Sequence, residues 1–271
     1  MKFDKVLVPI DGSAMSEIAV DLAVHSAGTF ATHLTFLFVV DTSAARKFGE
    51  VDADSAIMIS KAAGKMALES AARMADGKGI PYDTVMEAGI PWEVISEATK
   101  EHDMAIMGIT GKSGVVAGRI GRTAAAVIEN AYCPVLTLKS GSSKIDSILL
   151  PVASKNEAAI DVAIETAKRI NGSITVLSVR DRENPASEDT AKEIVARIQA
   201  EGLEGKFELV EGSVVDSVVT RSGKYDLIIM GTHGRKGLKK ILNGSVAERV
   251  VTNASCPVTI VRQHDRFQEQ G

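Results

Sequence analysis

Short runs of consecutive apolar residues alternate along this chain with stretches whose apolar residues recur every three or four positions. Lys5–Ile10, His33–Val40, Tyr82–Glu87, Asp103–Gly108 and Cys133–Leu138 are the runs of the first half. Their length and β-branched or aromatic content predict strands, mostly buried on both faces as in a parallel sheet. Between them lie helical patterns: one from Ser13 or Ser16 to about Gly28, one from Ser55 to Asp76 with Ile59, Ala62, Ala63, Met66 and Ala67 as its apolar positions, and one opened by Pro91. The same alternation returns in the second half. Strands are predicted at 145–152, 173–179, 206–210, 225–230 and 258–261, and helices at 158–170 and 188–201, from Ser213 or Ser217, and from Ser245. Strand, helix, strand in strict alternation predicts an α/β fold with parallel sheets.

The two halves are copies of one another. Val8-Pro9-Ile10 matches Leu150-Pro151-Val152 at a spacing of 142 residues. Asp103–Gly111 matches Asp226–Gly234 at a spacing of 123, as do Gly121 with Gly244 and Asn130–Val135 with Asn253–Val258. The second copy is therefore shorter by the 19-residue difference, lost between its second strand and the helix after it. The segment 41–54 carries this difference and reads as a polar loop at the carboxyl end of the sheet: a lid, a partner surface or a tolerated insertion. The repeat predicts two domains, 1–140 and 144–263, with a seam at 139–144. Each is large enough, at about 130 residues, to bury a core.

Composition narrows the function classes. A net charge of −4 argues against a general nucleic-acid or membrane-surface binder, and no apolar run is long enough to span a membrane. The start of the chain runs directly into a strand, so no signal peptide is expected. Two cysteines, Cys133 and Cys256, in repeat-equivalent places suit a reduced, cytoplasmic protein.

Chemistry concentrates after the fourth strand of each half. Gly231-Thr-His-Gly-Arg235 leads through Lys236, Lys239 and Lys240 to Gly244-Ser245 and a helix. Glycines permit close backbone approach, and a helix start offers free N–H groups to an anion. The arrangement reads as a phosphate pocket or as an exposed basic loop. The first copy runs Gly108-Ile-Thr-Gly111 to Gly121-Arg122, with arginine where the second has Ser245; it is a degraded site or one rebuilt around the arginine. After the first strand of the first half stands Asp11-Gly-Ser13, a carboxylate placed to meet a ribose or adenine, or an Asx turn. The second half has Ala153-Ser-Lys155 there and no carboxylate.

Val-Pro-x-Asp-Gly-Ser, then Met-Gly-x-x-Gly, nine residues, Gly-Ser and Cys-Pro-Val resembles the universal stress protein family in its tandem form, over nearly the whole chain. The resemblance implies two tandem open five-stranded parallel-sheet domains, Rossmann-like and of nucleotide-binding type. It implies that they form an intramolecular pseudo-dimer by pairing their last strands, with a homodimer as a further option. It also implies ATP as ligand, with Mg²⁺ held mainly by its phosphates. The adenosine positions it implies are Pro9, Ile10, Asp11 and Val39 in the first half and Val152, Ala153 and Val179 in the second. The phosphate positions are Gly108, Gly111 and Gly121, and Gly231, Gly234, Gly244 and Ser245, with Met230, His233, Arg235 and Val246 alongside. The first half keeps the Asp but lacks the Ser; the second keeps Gly244-Ser245 but lacks the Asp. Because phosphate binding rests on several backbone groups, the second half is expected to be the better ATP site. The expected function is ATP binding in stress response or signalling with at most slow hydrolysis. The alternatives are a scaffold that binds protein partners and, last, an enzyme of nucleotidyl transfer.

Overall fold

A computed structural model describes residues 3–30, 33–45, 50–111, 119–139, 145–152, 156–180, 188–232 and 246–262. The chain divides into two compact units, one of Phe3–Gly141 and one holding Ser142–Gly271.

The first unit runs β1 (Lys5–Ile10), α1 (Ala14–Phe30), β2 (His33–Asp41), α2 (Thr42–Ala45), α3 (Glu50–Asp76), β3 (Tyr82–Gly89), α4 (Pro91–Ala98), β4 (Met104–Gly108), α5 (Arg122–Asn130) and β5 (Val135–Leu138). Its strands are parallel and ordered β3-β2-β1-β4-β5. The second unit runs β6 (Ser147–Val152), α6 (Glu157–Ile170), β7 (Ser173–Arg180), α7 (Glu188–Ala200), β8 (Gly205–Glu211), α8 (Val214–Arg221), β9 (Leu227–Gly231), α9 (Val246–Asn253) and β10 (Val258–Val261). Its parallel order is β8-β7-β6-β9-β10, the same arrangement. In each unit the first strand is central and the chain leaves it in opposite directions, so the order reverses between β1 and β4 and between β6 and β9. Ligands of open α/β sheets bind at such a reversal, beyond the carboxyl ends of the strands.

The central strands are apolar because both faces are covered. Leu7, Leu34, Phe36 and Leu37 are fully buried in the first unit, and Ile148, Leu149, Leu150, Ile174 and Leu177 in the second. At the amino ends an aspartate fixes the register. Asp103 Oδ2 accepts from the backbone N–H of Asp4 at 2.8 Å and of Lys5 at 2.9 Å. Asp226 Oδ2 does the same for Asp146 and Ser147 and also accepts from the Ser147 hydroxyl at 2.7 Å. A buried hydroxyl is repeated too. Thr99 Oγ1 accepts from the Tyr132 N–H at 2.9 Å, and Ser222 Oγ from the Ser255 N–H at 2.8 Å. Each ties the end of one helix to the turn before the last strand.

Two expectations change. The segment 41–54 is not a loop throughout: Thr42–Ala45 is helical and α3 already begins at Glu50. The buried side of α3 is also not the stripe through Ile59 and Met66, which are each 71% exposed. The side that faces the sheet carries Gly64, Leu68, Ala71 and Ala75. Gly64 decides this, because a Cβ there would lie 2.6 Å from the Phe38 ring and 3.0 Å from the Met86 methyl. A helix that approaches a sheet this closely must present its smallest residue at the contact.

Two outcomes are expected. Asp226→Ala should lower unfolding free energy by about 1.5–3 kcal/mol, the range for hydrogen bonds to a charged group, as read by urea denaturation. In the same unit Arg221 Nε donates to Glu208 Oε2 at 2.8 Å and Tyr225 donates to Oε1 at 3.2 Å. The arginine's hydrogen bond holds the Glu208 carboxyl below its ordinary 4.5. A depressed acid contributes stability above its unfolded value and loses it as pH falls through the lower folded value. Arg221→Met should therefore lower the urea midpoint at neutral pH, with the difference from the parent shrinking as pH drops well below 4.5.

Candidate functional site

The carboxyl ends of β1 and β4 carry the first set of predicted residues. The pairs Val6↔Met104 and Leu7↔Ala105 carry Gly108, at the end of β4, level with Ile10 at the end of β1. Pro9 and Ile10 are buried in β1. Ile10 pairs with Phe38, so Val39, half-buried, lies one residue beyond that rung. The turn after β1 is held by Asp11, whose Oδ1 accepts from the Ser13 N–H at 3.0 Å, while Gly12 takes a left-handed φ of 74°. Ser13 then caps α1: its hydroxyl accepts from the Ser16 N–H at 3.2 Å and its carbonyl from the Glu17 N–H at 3.1 Å.

The Asx-turn reading of Asp11 is thus right, and the turn is held through Oδ1. The other oxygen, Oδ2, stands 2.5 Å from where a Cβ on Gly111 would be. The carboxylate after the first strand and the second glycine of Gly108-x-x-Gly111 are therefore brought face to face. Gly108 itself is overlaid by the start of α1, since a Cβ there would meet Met15 Cβ at 2.8 Å and Met15 O at 3.2 Å. Gly121 closes the far side: its N–H donates to the Ile109 carbonyl at 2.7 Å, and it precedes α5 with no side-chain cap. Arg122 is exposed at the first position of α5.

The second unit repeats the frame with different groups. Val152 pairs with Ser178, so buried Val179 lies one residue beyond, as Val39 does in the first unit. The pairs Ile148↔Leu227 and Leu149↔Ile228 carry Gly231 level with Val152. Met230 is buried in β9, and Val246 is exposed at the start of α9. Ala153, His233, Gly234, Arg235, Gly244 and Ser245 lie outside the described residues.

One side chain in this crevice was not foreseen. Asn156 caps α6, with Oδ1 accepting from the Ala159 N–H at 3.0 Å. It is only 7% exposed, and its Nδ2 has no hydrogen-bond partner among the described residues. A Cβ on Gly231 would sit 2.0 Å from that Nδ2 and 2.5 Å from Cγ. The sequence signal was present as a cap preceding the helical pattern at 158, but the repeat aligns Asn156 with Ala14, which has no comparable side chain.

The family model for universal stress proteins matches residues 2–139 and, a second time, 144–262. The chain belongs to the universal stress protein family, and twice over. A universal stress protein of Mycobacterium tuberculosis is 27% identical over 289 aligned positions, covering 95% of this chain and 97% of its own length. One from Methanocaldococcus jannaschii is 35% identical over 143 positions, 51% of this chain and 82% of its own. A solved universal stress protein from Archaeoglobus fulgidus superposes with a TM-score of 0.82 at 20% identity, covering 98% of both chains, a likeness of fold. Among the described residues of this stress protein, no helix is long and apolar enough to cross a membrane.

The close approaches at these glycines yield a test by urea denaturation. Gly108→Ala must displace the backbone of α1 and should cost about 1–3 kcal/mol. Gly231→Ala should evict the Asn156 cap at about 1–2 kcal/mol. Gly121→Ala, at a φ of −64° that any residue adopts but with its Cβ 3.2 Å from the Ile109 carbonyl, should cost less than Gly108→Ala, whose Cβ would stand 2.8 Å from Met15 Cβ.

Proposed function

We propose that this universal stress protein binds ATP at the carboxyl-end crevices of its units and acts in stress response or signalling, with at most slow hydrolysis. The observation that carries the reading is the contact between Asp11 and Gly111. It supports the reading because the carboxylate after β1 and the second glycine after β4 approach one another at the reversal of strand order, where ligands of open α/β sheets bind. The two groups are about a hundred residues apart in sequence and nothing in a turn or a cap requires them to meet.

The binding units are residues 1–140 and 144–263. In the first, Pro9, Ile10, Asp11 and Val39 hold adenosine, and Gly108, Gly111 and Gly121 hold phosphate. In the second, Val152, Ala153 and Val179 hold adenosine. There Met230, Gly231, His233, Gly234, Arg235, Gly244, Ser245 and Val246 form the phosphate side. Mg²⁺ would be held mainly by the phosphates themselves, screening their charge. The second unit is the tighter site, because phosphate binding there draws on Gly244-Ser245 and the α9 start. A cytoplasmic setting suits cysteines that form no disulfide.

The test is denaturing release of small molecules from the freshly purified protein, followed by mass spectrometry and by titration with Mg-ATP. A single equivalent of ATP or ADP per chain is expected, lost in Gly234→Ala. Two equivalents would mean that both units are loaded, and Asp11→Ala should then weaken the first site by roughly tenfold, the value of one or two hydrogen bonds. No nucleotide on release and none on titration would overturn the proposal and favour a scaffold for protein partners.

A further inference from the structure

We propose that Asn156 contacts the nucleotide of the second unit, its side-chain amide donating to a ribose or phosphate oxygen of the ligand. The inference rests on the nucleotide reading above and adds a residue to it.

The orientation of the amide is fixed by its other half. Oδ1 accepts from the Ala159 N–H at 3.0 Å, so the NH₂ group is the one turned away from α6. That NH₂ group is buried and has no partner among the described residues. Buried donors are almost always paired, and an unpaired one in a crevice points to a group that arrives from outside. The cap does not explain it. Serine caps α8 in this same unit, with Ser213 Oγ accepting from the Asp216 N–H, and Ser13 caps α1, and neither leaves an NH₂ group behind. Other buried side-chain atoms without a partner among the described residues are hydroxyls of Ser96, Thr166 and Thr259, which lie on α4, α6 and β10 and not at this end of β9. Among these atoms it is the Asn156 amide that stands against Gly231, where β6 and β9 part.

The two units then offer a ligand opposite hydrogen-bonding characters. The first offers Asp11, which accepts and carries negative charge. The second offers an amide N–H, which donates and carries none. A donor suits the anionic end of a nucleotide, and it does not repel phosphate as a carboxylate would.

The experiment uses the full chain and titration calorimetry with Mg-ATP, on the parent, Asn156→Asp and Asn156→Ser. Both replacements are good helix caps, so melting temperatures should stay close to the parent's. Asn156→Asp turns the donor into a charged acceptor and should weaken Mg-ATP binding at least tenfold; Asn156→Ser, which removes the NH₂ group without adding charge, should weaken it about threefold or more. Parent-like affinity in both folded variants would overturn the assignment while leaving the nucleotide reading intact. Failure of the parent itself to bind Mg-ATP would overturn both. If either variant melts well below the parent, Asn156→Gln, which keeps an NH₂ group one bond farther out, separates the roles: affinity regained without regained stability supports ligand contact, and stability and affinity moving together overturn it.

Discussion

The closeness with which the first helix of each unit lies over the fourth strand governs the rest of the structure. Gly108 accepts the backbone of Met15, and Gly231 accepts the side chain of Asn156, at distances no Cβ would tolerate. That proximity brings the turn after the first strand level with the loop after the fourth. Without it the crevice between β1 and β4, or β6 and β9, would be wide and its two walls could not act on one small molecule. The glycines are therefore spacers before they are anything else.

Much of this could be read from residue order. The strand runs, the alternation with helices and the double copy of Met-Gly-x-x-Gly led directly to two parallel-sheet units of the same design, because a strand buried on both faces leaves a clear apolar signature. The face of α3 could not be read. Ile59 and Met66 are more apolar than Gly64, and a pattern based on hydrophobicity puts them inward. The structure instead buries the residue that is small, because the contact with Phe38 is limited by distance rather than by affinity for water. The early start of α3 at Glu50 was hidden for a related reason: its first turns are polar and small, and helical order there has no apolar stripe to announce it.

The candidate site was legible in part. Glycine spacing marked the loop, and Asp-Gly-Ser marked the turn. Asp11 turned out to hold the turn through Oδ1 while its Oδ2 faces Gly111, an arrangement that the sequence presents as a choice between two readings. Asn156 escaped notice because comparing the copies highlights what they share, and this residue is something only the second copy has. The paired hydroxyls of Thr99 and Ser222 escaped for the opposite reason. They are shared, but a threonine matched with a serine inside a polar stretch looks like chance until each is seen holding the same turn.

The aspartates at the amino ends of β4 and β9 have an evolutionary consequence. They lock strand register at the edge of the sheet farthest from the crevice, and they do so in both copies. A gene copy so anchored can drift at its other edge without losing its architecture. The two copies do differ there, one with Asp11 and Arg122 and the other with Ala153, Asn156 and Ser245. Duplication here supplies two copies whose carboxyl ends can diverge on a framework whose integrity is secured at the opposite ends of the strands.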